Sequence, residues 1–185
     1  MIKEAIKKLV AGNDLTFDEA AQVMDEMFSG TATQSQMAAY LTALRIKGET
    51  IDEITASAQV MREKALHIKP NRDVLGDGTG TFNISTTAAF IIAAAGIPVA
   101  KHGNRSMSSK SGSADCLEQL GININITPEK SEEVLNKAGI CFMFAQGYHS
   151  SMKYVGPVRK EIGIRNIFNV LGPLTNPAGA DIQVT

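Results

Sequence analysis

Two clusters of polar residues have the composition expected of an anion-binding site. The first, at 76–86, reads Gly-Asp-Gly-Thr-Gly-Thr-Phe-Asn-Ile-Ser-Thr and lies between an apolar run and a helix-like segment. This arrangement directs backbone N–H groups and a helix dipole at a bound anion, and the glycines allow close approach. The pattern fits neither the P-loop nor the dinucleotide-binding fingerprint. Taken alone, a glycine-rich turn is equally compatible with a purely structural role.

The second cluster, at 101–115, also follows a short apolar run. It reads Lys-His-Gly-Asn-Arg-Ser-Met-Ser-Ser-Lys-Ser-Gly-Ser-Ala-Asp, with three cations and five serines around two glycines. Open α/β sheets bind ligands at the carboxyl ends of their strands, and this composition suits a phosphorylated ligand. A solvated charged loop is the less favoured alternative. His102 stands between Lys101 and Asn104, which favours a catalytic role over a structural one.

The elements that position these clusters begin with four short helices over about residues 2–66. Apolar residues near the amino terminus recur at helical spacing. Three later segments have capping-box form, in which a threonine is followed three residues later by Glu or Gln. These threonines are Thr16, Thr33 and Thr50. Gly30 and Gly48 stand where the intervening helices should end.

The pattern of predicted elements changes at residues 67–72, whose proline and polar residues are typical of a hinge. Beyond it, apolar runs at 73–75, 98–100 and 140–144 alternate with helix-like segments at 86–95, 113–120 and 128–138. Strands alternating with helices predict a parallel α/β sheet. Thr127 before Pro128 is a helix start signal. We therefore expect a helical domain at 1–69 and an α/β domain at 70–185.

The composition of the chain argues against several classes of protein. Hydrophobic residues make up 44% and charged residues 20%, which is typical of a globular domain. A net charge of -1 argues against a nucleic-acid or anionic membrane surface as partner, so any anion site must be local. Cys116 and Cys141 lack disulfide or metal-site spacing, which favours reduced thiols. With no targeting segment and no apolar run long enough to cross a bilayer, we expect a cytoplasmic protein.

Two further segments follow the polar clusters along the chain. One, at 149–163, reads His-Ser-Ser-Met-Lys-Tyr-Val-Gly-Pro-Val-Arg-Lys-Glu-Ile-Gly, and the other, at 169–177, reads Asn-Val-Leu-Gly-Pro-Leu-Thr-Asn-Pro. Together with the clusters at 76–86 and 101–115, they resemble the signatures of the anthranilate phosphoribosyltransferases in their usual order. Ordered matches over essentially the whole chain make coincidence improbable.

The resemblance implies both a fold and an activity. The fold is a small amino-terminal helical domain hinged to a larger parallel-sheet α/β domain, of the type shared by nucleoside phosphorylases and phosphoribosyltransferases. The activity is transfer of the phosphoribosyl group from phosphoribosyl pyrophosphate (PRPP) to the amine of anthranilate in tryptophan biosynthesis. Magnesium (Mg2+) is the implied cofactor. The implied partners are the two small-molecule substrates, with no nucleic acid and no membrane, and a second copy joined through the helical domain.

Carried over residue by residue, the resemblance implies two sets of substrate-binding residues. Those on the PRPP side are Gly76, Asp77, Gly78, Thr81, Asn83, Ser85, Thr86, Lys101 and Ser113. Those on the anthranilate side are His102, Asn104, His149, Arg159 and Pro173. Lys101 and His102 are the expected catalytic residues, and Ser85 is expected to help hold magnesium.

The chain departs from the family pattern in two places. The family's glycine loop usually reads Gly-Thr-Gly-Gly-Asp-Gly, whereas Leu75 here runs straight into Gly76-Asp77-Gly78. Three residues are absent, so we expect a weaker pyrophosphate cradle. The family's adjacent Asp-Glu metal ligands also have no counterpart before Thr185. We therefore expect an incomplete α/β domain and low activity from these 185 residues alone.

Three rival interpretations remain open at this stage. A pyrimidine nucleoside phosphorylase has a similar fold and binds an anion beside a ribose, but the Lys-His-Gly-Asn-Arg pattern argues against it. A non-catalytic nucleic-acid-binding relative is disfavoured by the absence of an overall basic charge. The third is an incomplete form of the transferase without activity.

Overall fold

The computed structural model describes residues 1–77, 83–105, 112–180 and 182–184. In chain order the elements are α1 Ile2–Val10, α2 Phe17–Phe28, α3 Gln34–Lys47, α4 Ile51–Glu63, β1 Leu75–Asp77, α5 Ile84–Ala94, β2 Val99–Gly103, α6 Ser113–Gln119, α7 Pro128–Ala138, β3 Ile140–Phe144, α8 Ala145–Tyr148, α9 Met152–Ile162, α10 Phe168–Leu174 and β4 Ile182–Val184. The chain divides into a helical unit, Met1–Lys64 with Ser150–Thr175, and an α/β unit, Ala65–His149 with Asn176–Thr185.

Helices α2, α3 and α4 begin where their capping signals predict. Thr16, Thr33 and Thr50 each accept a hydrogen bond from the backbone N–H three residues later, and the Glu or Gln there bonds back to the threonine N–H. These reciprocal bonds satisfy backbone donors that a helix start otherwise leaves free. The buried faces of α1 to α4 share one apolar core. The predicted helical organisation of this part of the chain is confirmed.

Helices α9 and α10 belong to the helical unit, although they follow the sheet strands β1 to β3 in the chain. Val155 and Val158 of α9, with Phe168 and Leu171 of α10, are buried in the same core as α1 to α4. The helical unit is therefore discontinuous, which differs from the single boundary predicted between residues 69 and 70. The hinge composition near residue 70 marked only the first crossing of the chain between the units.

The α/β unit contains a parallel sheet with the strand order β3-β2-β1-β4. Its core includes Ala100 and Met143 from the strands and Leu135 from α7. Helix α7 begins at Pro128 after the N-cap Thr127, as predicted. The predicted fold class, a helical domain with a parallel-sheet α/β domain, is confirmed.

Strand β1 lies two residues later than the predicted run at 73–75. Gly76 pairs with Ala100 on one side and with Gln183 on the other, so it is part of the sheet and lies between two neighbouring strands. A Cβ atom on Gly76 would lie 3.0 Å from both Asn176 Nδ2 and Ala180 Cβ. Gly76 and Asp77, predicted to belong to the glycine loop, are therefore strand residues, and a side chain at the first position would press against its neighbours.

Two further features expected from composition are the state of the two cysteines and the length of the apolar segments. Cys116 and Cys141 are both free, and burial raises the pKa of the Cys141 thiol to about 12. Cys141 is thus an unreactive core residue near neutral pH. No helix within the described ranges combines the length and the apolar composition needed to cross a bilayer.

Candidate functional site

A buried lysine on β2 contacts the amino-terminal end of α5. Lys101 is 3% exposed, and its Nζ donates a hydrogen bond to Ser85 Oγ at 2.9 Å. The strand register also sets Lys101 beside Asp77, the last residue of β1. An ammonium group at this point adds positive charge where the helix dipole already favours an anion. The structure thus brings one residue of each polar cluster into contact.

The first turn of α5 starts from an unusual backbone conformation. Its N-cap residue Asn83 has φ 35° and ψ 17°, in the left-handed region that is costly for residues other than glycine. Ser85 and Thr86 in the following turn are both buried. The Thr86 Oγ1 has no hydrogen-bond partner within the described part of the chain. Because a buried hydroxyl of this kind is costly, a bound ligand oxygen would stabilise it.

Two buried histidines face each other in the α/β unit. The His102 and His149 rings have centroids 5.0 Å apart and planes inclined at 57°. His102 lies on β2, and His149 follows α8, the short helix that continues from β3. Since side chains alternate along a strand, the side chains of His102 and Lys101 project from opposite faces of the sheet. The structure therefore separates the predicted PRPP residue Lys101 from the predicted anthranilate residues His102 and His149.

The segment after β2 is tied to the start of α6. The backbone carbonyl of Asn104 accepts a hydrogen bond from Ser113 Oγ at 3.3 Å. Arg105 donates to Glu118 at 2.8 Å and to Asp115 at 2.9 Å, and these carboxylates raise the pKa of its guanidinium. The side chain of Ser113, predicted to bind PRPP, thus holds the backbone next to Asn104 in this structure.

Arg159 is a half-buried arginine on α9 in the helical unit. Its Cζ lies 5.2 Å from the centroid of the Phe168 ring. Among the described residues it has no carboxylate partner, and its Nε is buried without a hydrogen bond. Burial lowers the pKa of the guanidinium from its ordinary value. A bound anion would therefore stabilise its charged form.

Comparison with known proteins gives the family. Residues 75–185 match the a/b domain of a glycosyl transferase family, and residues 3–65 match the helical bundle domain described for the same family. The chain belongs to this glycosyl transferase family.

Within that family, the relatives that the chain matches are anthranilate phosphoribosyltransferases. The protein from Lachnoclostridium phytofermentans is 59% identical over 190 residues, which cover 100% of this chain and 56% of the relative. The protein from Methanobrevibacter smithii is 60% identical over 190 residues, again 100% of this chain and 57% of the relative. The resemblance stated from the signature segments is confirmed, and the chain spans a little over half the length of these curated relatives.

Solved structures agree with the fold. The anthranilate phosphoribosyltransferase from Thermus thermophilus is 45% identical, with a TM-score of 0.89 over 97% of this chain and 57% of that one. The Saccharomyces cerevisiae enzyme, solved in complex with PRPP and Mg, has a TM-score of 0.85 at 24% identity, over 96% of this chain and 55% of that one. At that identity the yeast structure bears on the fold alone.

The predicted site residues fall into three groups according to their place in the structure. The first group lies in the α/β unit and is fully described, and it consists of Gly76, Asn83, Ser85, Thr86, Lys101, His102, Asn104, Ser113 and His149. Arg159 and Pro173 lie in the helical unit. Gly78 and Thr81 lie outside the described residues, and Asp77 is described for its backbone only.

The sequence did not single out two residues that contact the candidate site. Asn176 is buried, and its Nδ2 donates to the Ala100 carbonyl of β2 at 3.0 Å. Its position within the 169–177 signature was the signal that could have found it. Phe168, under the Arg159 guanidinium, had no signal, because a contact between two helices leaves no local spacing pattern.

The donor atoms at the start of α5 fit a magnesium ion only in part. Ser85 and Thr86 offer hydroxyl oxygens, the type of donor that Mg2+ accepts. Within the described ranges, no group of three or more His, Cys, Asp or Glu side chains could hold a metal ion. The residues therefore suit an ion that arrives with phosphate oxygens and takes few protein ligands, as magnesium in nucleotide and pyrophosphate sites commonly does.

Proposed function

We propose that this protein transfers the phosphoribosyl group of PRPP to the amine of anthranilate, releasing pyrophosphate, in tryptophan biosynthesis. The observation that carries the proposal is the hydrogen bond from buried Lys101 to Ser85 at the amino-terminal end of α5. A helix start and a buried ammonium group together suit a pyrophosphate. The relatives named as anthranilate phosphoribosyltransferases support the choice of substrates.

The donor would be bound by residues of β1, β2 and α5. The residues assigned to it are Gly76, Asp77, Gly78, Thr81, Asn83, Ser85, Thr86, Lys101 and Ser113. The Thr86 hydroxyl, which has no hydrogen-bond partner among the described residues, supports this assignment, since a phosphate oxygen would accept its hydrogen bond. Ser85 would also contribute to holding magnesium through its hydroxyl oxygen. The ion, when bound, neutralises negative charge on the pyrophosphate.

The acceptor would be bound by a different set of residues, His102, Asn104, His149, Arg159 and Pro173. Arg159 supplies charge for the anthranilate carboxylate, which supports a carboxylate-bearing aromatic acceptor over a neutral pyrimidine. Its lack of an acidic partner among the described residues leaves the guanidinium available for such a ligand. The buried imidazoles of His102 and His149 offer ring nitrogens and apolar ring faces to an aromatic amine.

The reaction forms a bond between the anthranilate nitrogen and the anomeric carbon of the ribose, while the bond from that carbon to pyrophosphate breaks. The amine loses one proton as the product forms. Lys101 would stabilise the charge that develops on the departing pyrophosphate, so positioning and electrostatics supply most of the acceleration. An aromatic amine is already neutral near pH 7, so no strong general base is needed. His102, beside His149, is the residue assigned to receive the proton.

The same proposal includes a cytoplasmic homodimer joined through the helical unit. Three large apolar side chains of that unit are strongly exposed, Val10 at 74%, Ile46 at 81% and Ile51 at 81%. Ile46 and Ile51 lie on either side of the turn between α3 and α4, and Lys47 at the end of α3 donates a hydrogen bond to Asp14, which follows α1, at 2.6 Å. Apolar residues gathered at one end of a helical unit favour contact with a second copy.

The test is the rate of phosphoribosyl-anthranilate formation by the complete gene product with PRPP and magnesium, followed by loss of anthranilate fluorescence. Lys101→Met should lower kcat, since it removes the charge that stabilises pyrophosphate. Arg159→Ala should raise the KM for anthranilate by about ten- to a hundred-fold, the effect of losing one charge-assisted pair. The KM for PRPP should stay within a small factor.

The matched control for Arg159→Ala is Lys160→Ala, because Lys160 is exposed on the same helix. It should leave both constants unchanged. Phosphorolysis of thymidine or uridine without phosphoribosyl-anthranilate formation would replace the proposal by a nucleoside phosphorylase. Salt-dependent DNA binding in place of turnover would indicate the nucleic-acid-binding relative.

A further inference from the structure

The ring of Phe168 lies beneath the guanidinium of Arg159. The distance from Arg159 Cζ to the ring centroid is 5.2 Å, within the range of a cation–π contact. Phe168 begins α10 and Arg159 is on α9, so the contact joins two helices of the helical unit. A guanidinium that stacks through its flat face keeps its N–H donors at its edge. The ring therefore lies on one side of the guanidinium, and N–H donors that point away from the ring remain for a ligand.

The ring itself is held firmly on its other sides. Phe168 is 5% exposed, and its ring packs against Phe28 of α2 with centroids 6.0 Å apart. Its backbone N–H donates to Asn166 Oδ1 at 3.2 Å, and the Asn166 N–H donates to Asn169 Oδ1 at 3.0 Å. The turn before α10 is thereby locked, and the ring cannot tilt without disturbing the core.

The Arg159 side chain has few other restraints. Among the described residues its Nε is buried without a hydrogen bond, and no carboxylate pairs with the guanidinium. A long, flexible side chain would otherwise lose rotamer freedom on binding a ligand, which weakens affinity. The contact with the Phe168 ring reduces that loss, because it restricts the guanidinium before a ligand binds.

We propose that Phe168 is a positioning residue for carboxylate recognition, holding the plane of Arg159 so that its edge faces the carboxylate of the acceptor substrate. This inference rests on the proposed function, in which Arg159 binds the carboxylate of anthranilate. An ordinary core phenylalanine would contribute only to stability. A positioning residue contributes to acceptor binding, and only while Arg159 is present.

A double-mutant cycle on the complete gene product tests the inference through the KM for anthranilate and the KM for PRPP. Phe168→Leu should raise the KM for anthranilate roughly three- to thirty-fold, as expected for losing a desolvated cation–π contact, and leave the KM for PRPP unchanged. In the Arg159→Ala background the same substitution should add less than about two-fold. Thermal unfolding of each variant is measured in parallel, and Phe168→Met supplies the comparison if the leucine variant does not fold.

The matched control is Phe17→Leu, the same substitution at a ring that packs against the same core and lies in α2. It should lower the unfolding temperature and leave both constants unchanged. An equal rise in the KM for anthranilate in both arginine backgrounds, or the same rise in Phe17→Leu, would overturn the positioning role alone. An unchanged KM in Arg159→Ala would overturn the acceptor assignment of the proposed function together with this inference.

Discussion

The Thr86 hydroxyl is buried in the first turn of α5, and among the described residues its Oγ1 has no hydrogen-bond partner. Folding thus removes this hydroxyl from water without compensation, at a cost of about 1–3 kcal/mol for a group of this kind. Sites that bind charged ligands commonly retain such groups because the ligand satisfies them. Thr86 therefore links a local loss of stability to the binding of an anion.

Replacing Thr86 with valine separates stability from binding. The unfolding temperature of the ligand-free protein should stay the same or rise, because no hydrogen bond is lost. Affinity for PRPP should fall about ten- to a hundred-fold, as for the loss of one bond to a charged oxygen. Circular dichroism on heating and calorimetric titration with PRPP measure the two effects.

Thr87→Val is the control on the same helix, since the Thr87 Oγ1 already donates to the Asn83 carbonyl at 3.2 Å. That substitution should leave PRPP affinity unchanged. A Thr86→Val protein that loses stability but binds PRPP normally would make Thr86 a structural residue.

At the scale of single elements, α2 illustrates how a capping box responds to pH. Glu19 accepts hydrogen bonds from Lys8 Nζ at 2.7 Å and from the Thr16 N–H at 2.8 Å. The bond to Lys8, followed by the bond to Thr16, lowers the pKa of Glu19 below its ordinary value of 4.5. A lowered pKa in the folded state means that this stabilisation is complete above 4.5 and is lost as the pH falls through the folded value.

Glu19→Gln should therefore destabilise the protein most above about pH 5.5 and progressively less toward about pH 3. Glutamine retains the capping bond, as Gln36 does in the box of α3, and loses only the ion pair. The measurement is the difference in unfolding temperature between the variant and the wild type across that range. Gln36→Ala is the uncharged control, and its effect should not vary with pH. A difference for Glu19→Gln that stays constant down to pH 3 would contradict the lowered pKa.

Strand β1 bears on the three residues missing from the glycine loop. Gly76 and Asp77 occupy strand positions paired with Ala100 and Lys101, so they are not free to serve as loop residues. An inserted Gly-Thr-Gly after Leu75 would put a glycine in the position of Gly76, where a Cβ meets neighbours at 3.0 Å. The original Gly76-Asp77-Gly78 would then move into the loop.

The insertion should tighten PRPP binding and leave the fold intact, because it adds backbone N–H donors for charged oxygens. Each such donor contributes roughly 1.5–3 kcal/mol, or about ten- to a hundred-fold in affinity. Calorimetric titration of the complete gene product with PRPP is the measurement. Inserting Ala-Thr-Gly instead puts a Cβ at the tight position and should lower the unfolding temperature. Unchanged PRPP affinity after the glycine insertion would mean that the existing loop already supplies those contacts.

For the molecule as a whole, the oligomeric state tests the role assigned to the exposed apolar end of the helical unit. Ile46 and Ile51 are each 81% exposed there, which favours a second copy as occupant. Light scattering on the complete gene product should give the mass of a dimer, and Ile51→Glu should give a monomer with the same helix content. Ile91→Glu on α5, where the isoleucine is 66% exposed, is the control and should remain dimeric. A wild-type protein that is monomeric at all concentrations would contradict the dimer.

Much of the fold was predictable because its signals are local. A capping box is read from residues three apart, and α2, α3 and α4 begin where those boxes stand. Helix α7 begins where an N-cap threonine before a proline predicts it. Strands separated by helices predicted the parallel sheet, and the polar clusters named the residue types of the candidate site. The contact of Lys101 with Ser85 was found only in the structure, since no local pattern joins a strand residue to a helix start 16 residues away.

Long-range packing decided the rest. Residues 150–175 joined the helical unit because Val155 and Phe168 bury their apolar surface in a core formed mainly by residues before 65, and no local pattern encodes the choice of partner. Likewise, Gly76 became a strand residue because β2 and β4 pair with it on both sides. The stacking of Arg159 on Phe168 also depends on how two helices cross. The sequence by itself determined which elements form and which residue types could bind an anion, whereas only tertiary structure decided which elements share a core, because burial is gained between segments far apart in the chain.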